Sequence, residues 1–110
     1  KINVSIKEAT IHRDSTVNHF SVFLQAIEGN NQLNKLHDQL YSKKLSAHLR
    51  NDIEYIPHIT IGNFKNAIEC ELIVEEWNKT ESAMHGVISH LAIVEFVDNA
   101  VLTIHEIELI

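Results

Sequence analysis

His58 and Thr60 are the residues whose types and spacing best suit chemistry, because they stand two apart in the apolar stretch Ile56-Pro57-His58-Ile59-Thr60-Ile61. Alternate side chains of a β-strand point to the same face, with backbones roughly 7 Å apart, so this imidazole and hydroxyl would share one surface. Histidine donates or accepts a proton near neutral pH, and threonine offers a neutral hydroxyl donor to a phosphoryl oxygen. The pair therefore suits phosphate chemistry, for which no metal or other cofactor is needed.

An ordinary strand histidine beside a β-forming threonine would give the same short pattern, so spacing alone favours a structural interpretation. The chain also contains a second loose match, His19-Phe20-Ser21. His19 stays a weaker candidate site residue, because a neighbouring strand would bring it near His58. The other histidines have no metal-binding spacing, and most are predicted at the surface: His12, His37, His48, His85, His90 and His105. His90 alternates with apolar residues and is predicted to be partly buried with a local hydrogen bond.

The elements that position these residues follow the order ββαβαββ. Period-two alternation predicts strands from Ile2, over about 17–27, over 56–64, and over about 87–97 and 100–109. Helical spacing predicts one helix from an asparagine cap at 30–31 to about Ala47, and a second from a capping box at Asn66 through Trp77, a core anchor. Asp98-Asn99 predicts a tight hairpin turn. The fold class is therefore α+β, a mostly antiparallel sheet with two helices packed on it, in a single domain over residues 1–110.

Composition narrows the classes of function. The formal charge of −6 argues against an extended nucleic-acid surface, and no run approaches the roughly 20 apolar residues of a membrane span. The single cysteine, Cys70, cannot form an internal disulfide, which favours a cytoplasmic location. The densest basic stretch either faces an anionic substrate or forms a solvated helix end: Lys43, Lys44, His48 and Arg50.

The segment from Tyr55 to Gly62, Tyr-Ile-Pro-His-Ile-Thr-Ile-Gly, resembles the second signature of the 2H phosphoesterases, also called the 2'-5' RNA ligase or cyclic phosphodiesterase superfamily. That signature is histidine, apolar, threonine or serine, apolar, and a proline and an aromatic residue typically precede it. The order of elements in the family is hairpin, helix, histidine strand, helix and closing hairpin, and the predicted elements follow this order over all 110 residues. The resemblance implies one lobe, the C-terminal one, of the two-lobed 2H phosphoesterase fold.

The resemblance further implies a metal-independent phosphoesterase that acts on a 2',3'-cyclic phosphate or a 2'-5' phosphodiester of a nucleotide or short RNA. His58 would be one acid/base group, Thr60 a phosphate-oxygen donor, and Tyr55 either a base-stacking ring or a packing residue. The family needs a second histidine signature. Since the chain begins at Lys1 and its one methionine is Met84, we expect that signature in a missing N-terminal lobe, or in a second copy of the chain. The alternative is a non-catalytic ligand-binding or oligomerisation module.

Overall fold

The computed structural model describes residues 1–13, 18–80 and 83–110. Within them the strands are β1 (Ile2–His12), β2 (Phe20–Glu28), β3 (His58–Phe64), β4 (Met84–Ile88), β5 (His90–Val97) and β6 (Ala100–Glu108), and the helices are α1 (Asn30–Leu40) and α2 (Ala67–Asn78). The predicted order and the α+β class are confirmed, except that the predicted strand over 87–97 divides at Ser89. The predicted start of the second strand at Val17 lies outside the described residues.

Four strands form the main sheet in the order β3-β2-β1-β4, and every pairing in it is antiparallel. The predicted hairpin of the first two strands is confirmed, since Ala9 pairs with Leu24 and His12 with Ser21. β3 returns from the helical segment to the free side of β2, where His58 lies opposite Gln25 and Thr60 opposite Phe23. This topology sets the histidine strand at an edge of the sheet, beside β2.

The core lies between α2 and one face of β1 and β2. Cys70, Val22 and Leu24 are fully buried there, and Trp77 packs against them. The indole Nε1 of Trp77 also donates to the carbonyl of Lys7, 2.8 Å away, where the β1 ladder is irregular. Trp77 is thus the predicted core anchor. Because side chains alternate along β2, Val22 and Leu24 face α2 while Ser21 and Phe23 face the opposite side.

The two helices begin with different caps. In α2 the predicted cap is confirmed, since the Asn66 side chain accepts a hydrogen bond from the backbone N–H of Ile68 at 2.8 Å. In α1 the predicted asparagine cap is wrong, because Gly29 is the cap and its carbonyl accepts from Leu33 N–H at 3.0 Å. Gly29 has a φ of +87°, and an added Cβ would meet the Asn3 carbonyl oxygen at 2.3 Å. Only glycine fits this junction without strain.

Helix α1 ends at Leu40, seven residues before the predicted end at Ala47. Ser42 stops it, since both its hydroxyl and its backbone N–H donate to the carbonyl of Gln39. The chain then continues through turns and a short 3₁₀ helix at Ser46–His48. The apolar spacing of α1 also stops at Leu40, so the last predicted turns had no stripe to bury.

β5 and β6 form a separate two-stranded ribbon. Asp98 and Asn99 have φ values of 48° and 64°, which confirms the predicted turn of positive dihedrals. Both faces of the ribbon expose apolar side chains, and Phe96 is 79% exposed. The predicted burial of His90 is therefore wrong: the break at Ser89 removes it from the main sheet, and its ring is exposed. Its predicted local hydrogen bond is confirmed, to Ser89 Oγ at 2.8 Å.

Candidate active site

A cavity of about 430 Å³ lies over the sheet face opposite α2, where Ser21, Phe23, His58 and Thr60 point. Small-molecule sites in proteins commonly have volumes of about 300–1,000 Å³. The wall of the cavity in this protein comes from the end of α1 and from the segment that precedes β3: His37, Tyr41, His48, Leu49, Arg50, Ile53, Glu54, Tyr55 and Ile56. His12 and His19 complete the lining from the side of β1 and β2. The three predicted site residues, His58, Thr60 and Tyr55, thus line one cavity.

His58 is the first residue of β3, and two contacts hold its ring. Nδ1 lies 2.5 Å from the carbonyl oxygen of Ile56. A carbonyl can only accept, so Nδ1 carries the proton and Nε2 of the neutral ring keeps its lone pair. The ring also stacks on Phe23, with centroids 3.5 Å apart and planes 11° apart. The arrangement leaves Nε2 as the nitrogen that can take a proton from a ligand in the cavity.

Thr60 stands two residues along the same strand and faces the same cavity, as the strand period predicts. Ile59 lies opposite Leu24 in the β2–β3 ladder, which places it on the other face of β3. No hydrogen bond engages the Thr60 hydroxyl within the described part of the chain. A hydroxyl in this position can donate to an oxygen of a bound anion while the His58 imidazole exchanges a proton with it.

Gly62 ends the signature but does not open space for a ligand. A Cβ built on it would lie 2.6 Å from Cε2 and 2.9 Å from Cζ of Phe64. Phe64 packs against the core cluster, on the side of α2. The absent side chain of Gly62 therefore makes room for the Phe64 ring, and this glycine supports the strand that carries His58 and Thr60.

Tyr55 lies at the rim of the cavity and is 41% exposed. One face of its ring stacks on His37 of α1, with centroids 4.0 Å apart and planes 11° apart. Tyr41 contacts the same imidazole at 4.8 Å in a tilted arrangement. Partial burial raises the pKa of the Tyr55 phenol, so the ring stays neutral. Tyr55 therefore both packs on α1 and presents a ring to the cavity.

His19, the weaker candidate, lines the same cavity together with Ser21. His58 is opposite Gln25 in the β2–β3 ladder, and Gln25 is six residues from His19. At about 3.3 Å per residue, six extended residues would span at most roughly 20 Å. His19 lies just before the start of β2, so it lines a different part of the cavity from His58.

The composition of the cavity wall was only partly visible in the sequence. Five of the eight histidines line it, although three of them were predicted as surface residues: His12, His37 and His48. Of the basic stretch, His48 and Arg50 face the cavity, and Arg50 pairs with Asp52 through Nε at 3.1 Å. Glu54 is the one acidic residue among the described residues that line the cavity. The cavity wall is thus rich in imidazole groups, with one arginine and one glutamate, on a chain of net charge −6.

Two further properties concern metals and membranes. Over residues 1–13, 18–80 and 83–110, no three His, Cys, Asp or Glu side chains are grouped in a way that could hold a metal ion. In the same part of the chain, neither helix combines the length and the apolar character that crossing a bilayer requires.

Comparison with known proteins matches the chain to a family. The family described as the 2'-5' RNA ligase superfamily matches residues 3–100, which include β3, the cavity-lining segment before it, and both helices. No curated protein and no solved structure matches the chain. Since the match covers far more than half of the 110 residues, the chain belongs to the 2'-5' RNA ligase superfamily of 2H phosphoesterases.

Proposed function

We propose that the protein is a metal-independent phosphoesterase that opens 2',3'-cyclic phosphates or related nucleotide phosphodiesters, including 2'-5' linkages. The observation that carries the proposal is the convergence of His58 and Thr60 on one cavity, with the tautomer of His58 set by the Ile56 carbonyl. Family membership supports the proposed reaction class, and the lining of the cavity supports the choice of residues.

His58 is the proposed acid/base group. In the opening of a cyclic phosphate, the oxygen of a water molecule forms a bond to phosphorus while the bond to one ribose oxygen breaks. A base takes the proton of the water, and an acid gives a proton to the ribose oxygen that leaves. A positioned imidazole contributes about a hundredfold to ten-thousandfold in such steps. Nε2 of His58 suits the role of base as it stands, and the protonated ring suits the role of acid.

Thr60 is the proposed donor to the phosphoryl oxygens. Negative charge on these oxygens is redistributed as the new bond forms, and a hydroxyl already aimed at them stabilises that state without reorganisation. The roughly 7 Å between the backbones of residues two apart in a strand allows both side chains to reach one phosphate. The histidine-rich wall of the cavity adds donors that favour an anionic ligand.

Tyr55 is the proposed contact for the nucleobase. Its ring is neutral, lies at the cavity mouth, and has one face covered by His37. Aromatic rings stack on nucleobases with about 1–3 kcal/mol per base and little sequence preference. A base on the uncovered face of Tyr55 would extend the stack of Tyr41, His37 and Tyr55. Such an arrangement fits a mononucleotide or the end of a short RNA.

The reaction as proposed uses two proton-transfer groups, and His58 is one of them. The family resemblance assigns the second to a further lobe that faces this cavity, and a second copy of the chain is the other source. His19 precedes β2, six residues from the ladder partner of His58, and we do not assign it the second role.

The test is the opening of a nucleoside 2',3'-cyclic phosphate by the longest natural form of the protein in the presence of a chelator. We expect chelator-resistant activity that His58→Ala lowers at least a hundredfold without unfolding the protein. His90→Ala is the matched control, since this exposed histidine is outside the cavity lining, and it should keep full activity. Equal activity of His58→Ala and the parent protein would overturn the assignment. Retained nucleotide binding without turnover would instead support the non-catalytic module.

A further inference from the structure

Three aromatic rings from three neighbouring strands form a column across the floor of the cavity. His12 of β1 stacks on Phe23 of β2 at 4.9 Å, and Phe23 stacks on His58 of β3 at 3.5 Å. The ring planes differ by only 17° and 11° along the column. Phe23 is the central member and is 9% exposed, so its ring is held by the surrounding sheet.

We propose that Phe23 is a positioning residue that fixes the plane of the His58 imidazole for proton transfer. The inference rests on the proposed function for its catalytic consequence, and on the geometry of the column for its structural part. Phe23 does not touch the reacting atoms in this proposal. It acts through His58.

Two restraints are needed because a histidine ring has a broad, roughly two-fold torsion about its last bond. The hydrogen bond from Nδ1 to the Ile56 carbonyl selects which nitrogen faces the backbone, but one bond still allows the ring to swing about it. Stacking on Phe23 fixes the ring plane, but it would equally allow a flip that exchanges the two ring edges. Together the two contacts define the direction of Nε2.

The alternation of β2 explains why Phe23 differs from an ordinary core residue. Its neighbours Val22 and Leu24 point to the opposite face and bury themselves against α2 with Cys70. Phe23 is an apolar residue on the face that lines the cavity. A register shift between Val22 and Phe23 in the β2–β3 ladder sets Phe23 opposite Thr60, so that His58 is its diagonal neighbour. The bulge therefore puts the aromatic ring where both predicted site residues are in reach.

The test uses three kinds of variant. Phe23→Leu and Phe23→Met keep an apolar side chain but remove the aromatic face. Two such variants are used so that one remains available if the other does not fold. Phe23→Tyr keeps the ring and should behave like the parent protein. Val22→Ala is the matched control, because it destabilises the same strand through its other face.

The first readout is the nitrogen NMR spectrum of the His58 imidazole at about pH 8, where a free imidazole is neutral. The parent protein and Phe23→Tyr should show a protonated Nδ1 and an unprotonated Nε2. In Phe23→Leu and Phe23→Met the ring should swing out of its plane, so that the bond from Nδ1 to the Ile56 carbonyl loses its alignment and both signals move toward exchange-averaged positions. The second readout is the opening of a nucleoside 2',3'-cyclic phosphate, in which kcat should fall about tenfold to a hundredfold while KM changes less than about threefold.

Unchanged His58 signals in both non-aromatic variants would overturn the proposal, and so would an equal loss of kcat in Val22→Ala. The nitrogen spectrum needs no substrate. A protein inactive on every cyclic phosphate would therefore contradict the proposed function, while the Phe23 measurement would still decide whether the stack holds His58.

Discussion

Adding one methyl group at each of two strand glycines should change stability in opposite directions. In Gly62→Ala the new Cβ would lie 2.6 Å from Cε2 of Phe64, a distance that side chains do not tolerate without movement. In Gly86→Ala the new Cβ meets nothing within 4 Å. Neither glycine has a positive φ, so the backbone accepts alanine at both positions. The two variants therefore differ in packing alone.

The magnitudes follow from two opposing effects. Replacing glycine by alanine at a compatible position stabilises by about 0.4–1 kcal/mol, because the unfolded chain loses freedom. Overpacking costs about 1–3 kcal/mol, because Phe64 has to move within the core cluster that it contacts. We expect Gly62→Ala to lower the free energy of unfolding by about 1–2 kcal/mol, and Gly86→Ala to raise it by about 0.5 kcal/mol.

The assay is urea unfolding followed by tryptophan fluorescence, since Trp77 is the one tryptophan and packs on the core. Phe64→Leu combined with Gly62→Ala should recover part of the loss, because the smaller side chain vacates the space that the methyl group needs. If Gly62→Ala is as stable as Gly86→Ala, the assignment of this signature glycine to packing is refuted.

Two further predictions concern Gly29, whose backbone conformation favours glycine, and Cys70, whose side chain is buried. Gly29→Ala should lower the free energy of unfolding by more than Gly62→Ala does, by about 2 kcal/mol or more, because alanine would meet both a positive φ of 87° and a clash with the Asn3 carbonyl. Thermal unfolding measures the loss, and a variant as stable as the parent protein would contradict the role of Gly29 as the cap of α1. Burial raises the pKa of the Cys70 thiol, and the charge of Glu69 raises it further, so the folded state holds this proton more tightly than the unfolded state. The free energy of unfolding should therefore fall as the pH rises above about 9, and it should fall less steeply in Cys70→Ala. A thiol reagent should modify Cys70 only in denaturant. Rapid modification of the native protein would contradict the burial of this thiol.

Patterns of period and turn chemistry predicted most of the fold. The alternation of β1 and β3, the apolar stripe of α2 ending in Trp77, and the Asp98-Asn99 turn all depend on neighbours within a few residues, which a sequence displays directly. The end of α1 was missed because Ser42 stops it with local hydrogen bonds that the leucine spacing does not reveal. The break at Ser89 was missed because two polar residues within a long strand pattern, Ser89 and His90, do not by themselves show where a chain leaves one sheet for another.

The candidate site was predictable only along its own strand. His58 and Thr60 share a face because they are two apart, and that much follows from the period of a strand. Part of their surroundings comes from residues distant in sequence: His37, which stacks on Tyr55, lies 21 positions before His58, and His12, which stacks on Phe23, lies 46 positions before it. The sequence did not predict that Phe23 contacts the site, because its contact with His58 depends on a register shift between β2 and β3 that no local pattern specifies.

The claim that His58 and Thr60 act on one phosphoryl group is tested most directly by a double-mutant cycle on kcat/KM. The substrate is a nucleoside 2',3'-cyclic phosphate, with chelator present, and the variants are His58→Ala, Thr60→Val and their combination. We expect each single variant to lose at least about a hundredfold, and the double variant to be little slower than the slower single one, because groups that serve one transition state are not additive. Full additivity would place the two side chains in separate roles, and full activity in either single variant would contradict the account.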